Sequence, residues 1–352
     1  MFRLPQAFAN KTVAILPITR LVFDLPFKIG SYYFFPAGEF DVLALNPIPP
    51  LSLDDCRVDS ELIKLEGKNL RRAKSAIAGL SIEVLESNPL IVFTTDIDWA
   101  TFGELDHDGD IEIIQSLSSK AEKALNVIRF SCCRFDLPDT LPGLAGSWDG
   151  SGQFLGALIY NSSRYASHLI SGGAVESTVI VKGLGLQVDG FLQVELPNPE
   201  SGELFAIASH ALLLFSDVMY ASNETTKFVR AMTLLEFLGS PDKYKTWKEL
   251  KSEIICHFAK DKTDYYRLIE RFKELTSKKN DNDIQSGLRT LIVHQGKFLH
   301  ELIPDPRARK QLFKEIQGYA KSVIQDMLFH GESSWGSFMA YRYSLKERLG
   351  VA

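Results

Sequence analysis

Residues 288–297 read LRTLIVHQGK, with Arg289 and His294 separated by four residues and Gly296 close behind. An arginine and a histidine this close in sequence could present a cationic pair to an anion. The bare pair carries little weight. With 16 Arg and 7 His in 352 residues, any given Arg-to-His spacing arises by chance about 0.3 times. Its setting carries more. Leu288, Leu291 and Ile292 make an apolar stripe that predicts a packed helix over 283–295. Gly296 reads as the left-handed residue after the last turn, which puts His294 where the helix dipole favours a cation. Positions five apart lie about 140° apart around a helix axis, so the two side chains do not share a face, although arginine is long enough to reach around. The competing assignment makes both of them bundle residues tied to local carbonyls or acids.

Other stretches offer weaker chemistry. RYASH (164–168) is a second Arg–His pair with nothing downstream to organise it. DHDGDIE (106–112) places acids at alternate positions like part of a calcium loop. Its Gly109 stands fourth rather than sixth and no distant glutamate follows, so the acids are expected to cap a helix starting near 110. KGLGLQVDG (182–190) spaces glycines like a nucleotide fingerprint but runs into the strand-like FLQVEL, where the fingerprint needs a helix. No G-x-S-x-G elbow is present. The cysteines at 56, 132, 133 and 256 make neither a CxxC pair nor a disulfide framework. The reading is therefore no metal, no cofactor and a reducing, cytoplasmic setting. The N-terminus lacks a secretory signal pattern, and the apolar run FAIASHALLLF (205–215) is too short to span a bilayer.

The elements that must position these residues change character along the chain. YYFFPAGEFDVLAL (32–45), PLIVFTTDID (89–98), QFLGALIY (153–160) and residues 176–196 read as strands, and an amphipathic helix is expected over 110–130. PNPESGE (197–203) is the clearest punctuation. Beyond it strand signals nearly vanish, and helices are expected at 203–221, 224–238, 246–260, 264–278, 283–295 and 306–329. Asp305 and Pro306 make a good start for the last of these. Charge divides at the same place. Residues 1–200 carry 16 basic against 25 acidic side chains, a net of −9, whereas 201–352 carry 23 against 19, a net of +4. The expected layout is α+β, with a mixed α+β domain at 1–200 and an all-α domain at 201–352. The basic half is the one suited to a phosphate backbone.

With these residues in hand, the C-terminal half resembles the HEPN superfamily. LRTLIVHQG is similar to the R-S-x-x-V-H-G ending of ApeA-like HEPN proteins of prokaryotic antiviral defence. FVRAMTLLEFLGSP (228–241) resembles that family's early helix, with its L-E-x-L element at Leu235, Glu236 and Leu238. The resemblance covers roughly 205–340. Two positions depart from the pattern: Thr290 follows the arginine, and Gln295 is inserted ahead of the glycine. What the resemblance implies is a metal-independent endoribonuclease acting on RNA as a homodimer that brings two Arg–His pairs into one cleft. Arg289 would stabilise phosphoryl charge and His294 would transfer protons, with Thr290, Gln295 and Glu236 in support. The N-terminal domain would sense a trigger ligand or partner, or restrain activity. The alternative is a HEPN-fold protein that dimerises or binds without cleaving RNA. Apolar residues of the last helices, notably Phe313, Met327, Phe329 and Trp335, are expected at the dimer interface.

Overall fold

The computed structural model describes residues 4–45, 80, 82–102, 107–137, 141–148, 155–171, 186–187, 202–279 and 286–352. The chain forms two compact units: Met1–Leu125 with Asp139–Glu195, and Asn126–Pro138 with Leu196–Ala352. The first is built on an antiparallel sheet and the second on helices. Among the described residues no helix is long and apolar enough to cross a membrane.

In chain order the first unit contains β1 (Thr12–Pro17), β2 (Leu21–Val22), β3 (Phe27–Ile29), β4 (Tyr32–Phe35), α1 (Ile82–Ser87), β5 (Leu90–Thr95) and α2 (Trp99–Phe102). Then come α3 (His107–Cys132), β6 (Gly156–Asn161), β7 (Ala166–Ser171) and β8 (Leu186–Gln187). The residues of α3 from Asn126 onward count with the second unit. Six strands form one sheet in the order β3-β4-β5-β1-β6-β7, while β2 and β8 pair in parallel. At the centre Ile15 lies opposite Val92 on one side and Leu158 on the other. Val13, Ala14, Ile15 and Leu16 are all fully buried, so both faces of β1 are covered. Its sequence accordingly runs apolar without alternation. The loop at 143–147 fastens α3 to the end of this strand. Gly146 N donates to Pro17 O (2.7 Å), Ser118 Oγ donates to Ala145 O (2.7 Å), and Ala145 N donates to Glu122 Oε1 (2.8 Å).

Several expectations shift here. The strand read at 32–45 ends at Phe35, because Pro36 has no amide to donate and Gly38 turns at φ 75° with its N–H given to Glu86 O. Residues 43–45 are a short 3-10 turn instead. The helix expected from 110 already begins at His107, so Gly109 lies inside its first turn. Arg164 of RYASH occupies the β6–β7 hairpin turn, and exposed His168 on β7 packs its ring against Trp99 and Phe102. Most of 176–196, the whole of PNPES and Cys56 lie outside the described residues.

The second unit holds α4 (Glu203–Met219), α5 (Glu224–Gly239), α6 (Trp247–Ile255), α7 (Lys262–Thr276), α8 (Leu288–Gln295), α9 (Leu299–Leu302), α10 (Pro306–Phe329) and α11 (Trp335–Leu349). α5 is the hub and packs on α4, α6, α8, α9 and α10. Its buried stripe of Phe228, Ala231, Met232, Leu235 and Leu238 follows helical spacing. Side-chain caps fix the starts: Asn223 accepts from Thr226 N, Asp261 from Asp264 N, and Asp305 from Arg307 N and Ala308 N. Residues 126–135, read from sequence with the N-terminal domain, are stitched into this unit by buried polar groups. Asn126 Oδ1 accepts from Ser216 Oγ (2.7 Å), Gln317 bonds both Cys133 O and Phe135 N, and Lys227 Nζ donates to Phe135 O (3.0 Å).

Two expectations about the last helices need correction. Phe313 and Met327 are sealed within the unit's own core, so they are not interface candidates; of the four apolar residues named, Phe329 is 86% exposed and Trp335 is half-buried. α11 was not expected at all. Its inner face runs Phe338, Arg342, Leu345, Leu349, and the buried arginine breaks the apolar stripe that would have announced a helix.

Candidate functional site

α8 is a short helix clamped at both ends. At its start, Gly287 lies so close to the end of α7 that a Cβ there would sit 2.4 Å from Thr276 O. Ser286 N and Gly287 N both donate to Lys278 O, and Thr290 Oγ1 donates to Thr276 O (2.8 Å). At its end, Gly296 adopts φ 68°, ψ 19°. Its N–H reaches Ile292 O and that of Lys297 reaches Leu291 O, the paired closure of a left-handed cap. α9 then starts on α5, with Leu299 N donating to Thr225 Oγ1 (3.0 Å). Only Ile292 of α8 is fully buried, so the helix lies across the bundle surface rather than inside it.

Arg289 Nη2 lies 2.9 Å from Glu236 Oε1, and Trp247 Nε1 donates to that same oxygen at 2.7 Å. Both ion-pair side chains are about two-thirds covered, at 27% and 31% exposure. Glu236 stands in the last turn of α5, where the helix dipole is unfavourable to a carboxylate; the guanidinium and the indole N–H offset that cost. This cluster joins two of the residues named from sequence, Arg289 and Glu236, and adds Trp247, which was missed. A tryptophan at the first position of a helix in the otherwise polar stretch SPDKYKTWKE was the available signal.

The remaining residues are placed differently. His294 is exposed in the last turn of α8 and has no side-chain partner among the described residues. Gln295 beside it is exposed as well. Thr290 serves the α7–α8 junction through its hydroxyl and is half-buried. Next to Glu236, the turn between α5 and α6 bounds a pocket of about 380 Å³. Phe298 (54% exposed) and His300 pack their rings at 5.5 Å beyond Gly296.

The two buried thiols of this unit, Cys133 and Cys256, are poorly placed to act as nucleophiles. Burial pushes the Cys133 thiol up to about 12 and the Cys256 thiol to about 11, so neither is a thiolate at neutral pH. Among the described residues no three His, Cys, Asp or Glu side chains gather as a metal site would require. The arrangement on α8 sets a guanidinium held by a carboxylate at one end of the helix and a solvent-accessible imidazole at the other. No family model, curated protein or solved structure matches the chain.

Proposed function

We propose that the protein is an endoribonuclease of the HEPN type, in which Arg289 and His294 act on RNA and a second copy of the chain completes the site. The observation that supports this best is the division along α8: Arg289 is held by Glu236 at the start, while His294 stands open at the end. A guanidinium fixed in place stabilises developing phosphoryl charge without reorganising. An open imidazole can take the proton of the ribose 2′-hydroxyl as that oxygen bonds to phosphorus. The bond to the 5′-oxygen then breaks, and a second, protonated imidazole supplies its proton. The products are a 2′,3′-cyclic phosphate and a 5′-hydroxyl. Two copies supply the two imidazoles, and the angular offset of Arg289 from His294 lets a cleft be lined from both sides. On this reading the sheet-based unit senses a trigger or restrains activity, and the protein works in the cytoplasm.

One observation favours a second reading. Arg289 is already neutralised by Glu236, as suits a helical protein that dimerises or binds RNA without cleaving it. The test is cleavage of end-labelled RNA in EDTA by the wild type, Arg289→Ala and His294→Ala, with the termini identified chemically and mass measured by light scattering. The first reading expects cyclic-phosphate ends from a wild-type dimer and loss of cleavage in both variants at unchanged melting temperature. A wild-type dimer that leaves RNA intact supports the second. Full cleavage by either variant removes the pair from the active site.

A further inference from the structure

Immediately after Glu236, α5 ends and the chain turns through SPDKYKTWK (240–248), and this turn bounds the 380 Å³ pocket next to the Arg289 cluster. We propose that this pocket is a subsite for single-stranded RNA, taking a base against Tyr244 while Lys243 and Lys245 meet the adjoining phosphates. The assignment rests on the ribonuclease reading above and extends it from the reacting phosphate to its neighbour. Tyr244 is 92% exposed, so its ring contributes almost nothing to the fold and presents a bare aromatic face beside the opening. Phe237 lines the same pocket and is braced by the His210 ring at 4.8 Å. Aromatic faces of this kind accept any base by stacking.

The charge around the pocket points the same way. Of its two acids, Glu236 is paired with Arg289 and bonded by Trp247, while Asp242 accepts from the Ser240 hydroxyl at 3.1 Å and keeps its charge. Lys243 and Lys245 also line it, and beyond their electrostatic pull on the Glu249 carboxylate no close ion pair holds either of them among the described residues. The pocket therefore offers two lysines to a ligand against one carboxylate, Asp242, that has no cationic partner among the described residues. Glu236 belongs to both the pocket wall and the Arg289 ion pair, so the pocket adjoins the Arg289 cluster through that one carboxylate.

The test uses the full-length wild type and a short, labelled, single-stranded 2′-O-methyl RNA, which cannot be cleaved by 2′-hydroxyl attack, with binding read by fluorescence anisotropy. Tyr244→Ala should weaken binding about tenfold, and Tyr244→Phe should restore it. Replacing Lys243 and Lys245 together by Ala should reduce the slope of log affinity against log salt by about 1.4, at about 0.7 per phosphate contact on a single strand. Because Tyr244 is exposed, its loss opens no cavity, and an unchanged melting temperature certifies the fold. Binding by the Tyr244→Ala and double-lysine variants within about twofold of the wild type overturns the subsite. So does displacement of the RNA by polyglutamate at equal affinity, which would mark a surface for acidic protein. Cleavage of unmodified RNA is scored separately. Tyr244-dependent binding without cleavage leaves the subsite standing and removes the ribonuclease reading; cleavage with Tyr244-independent binding does the reverse.

Discussion

Replacing Arg342 by leucine should strike the helical unit harder than any surface change and should alter its response to acid. Arg342 is fully buried on α11. Its Nη2 donates to Leu238 O (2.7 Å), its Nη1 to Gly239 O (3.2 Å) and its Nε to His257 Nε2 (3.0 Å), while Trp335 and Phe338 flank the guanidinium at 5.0 and 4.9 Å. The two carbonyls are the negative end of α5, so the cation caps that helix and the carbonyls stand in for a carboxylate partner. Burial lowers its pKa to about 10, which still leaves it charged at neutral pH. Leucine restores the volume but leaves two carbonyls and an imidazole nitrogen without a donor. Breaking a buried charged network of this kind costs about 3–5 kcal/mol. At roughly 2–4 °C per kcal/mol for a unit of this size, the melting temperature of the helical unit should fall by about 6–20 °C.

The acid response follows from the same bond. Since arginine only donates, His257 Nε2 must accept, and the ring proton sits on Nδ1, given to Asp326 Oδ2 at 2.6 Å. Burial pushes the pKa of His257 below its ordinary 6.5, opposed by the hydrogen bond to Asp326 and reinforced by the charge of Arg342. Tyr341 and Glu253 also face this group. A histidine depressed in the folded state stabilises fully above pH 6.5. Its contribution is lost as pH falls from there towards the folded pKa, by at most about 1.4 kcal/mol per pH unit. Arg342→Leu frees Nε2 to be protonated beside Asp326, so this loss should shrink or reverse. Thermal melts of the full chain, followed by circular dichroism at pH 7.5 and 5.5, read both effects, and groups common to both proteins cancel in the difference of slopes. A variant that melts within about 2 °C of the wild type, or keeps the same acid slope, refutes the reasoning.

Gly287→Ala should destabilise the unit by about 1–3 kcal/mol in urea unfolding, because the added methyl falls 2.4 Å from a backbone oxygen that cannot swing away. Unchanged stability would show that the α7–α8 junction relaxes freely. Trp247→Phe keeps the ring and removes the donor to Glu236, so Arg289 loses its fixed partner geometry. If the protein cleaves RNA, kcat should fall about tenfold with KM little changed, as misplacement of a positioned group predicts. An equal rise in KM would instead assign Trp247 to substrate binding.

What sequence alone established is local. The helix at 306–329 was legible in full, because Asp305, Pro306 and the apolar face of Leu312, Phe313, Ile316, Ala320, Val323, Ile324 and Met327 all speak within one segment. The starts at 203 and 224 were legible likewise, as was the closure of α8 at Gly296, since caps, turns and periodicity are written in adjacent residues. Glu236 was named only through a resemblance, and nothing near it in the chain announces that its carboxylate meets Arg289 and Trp247. α6 stops at Ile255, five residues short of the expected end at 260, and the next residues place His257 in the buried pair with Asp326 and Arg342. α11 left no periodic trace because its inner face carries that same arginine. Periodicity also could not tell which apolar residues are used up internally. Phe313 and Phe329 look alike in the sequence, yet one is buried and the other open. Hydrogen bonds and ion pairs between distant residues have no period, so which polar groups meet, and which apolar faces stay uncovered, is decided only when the helices pack.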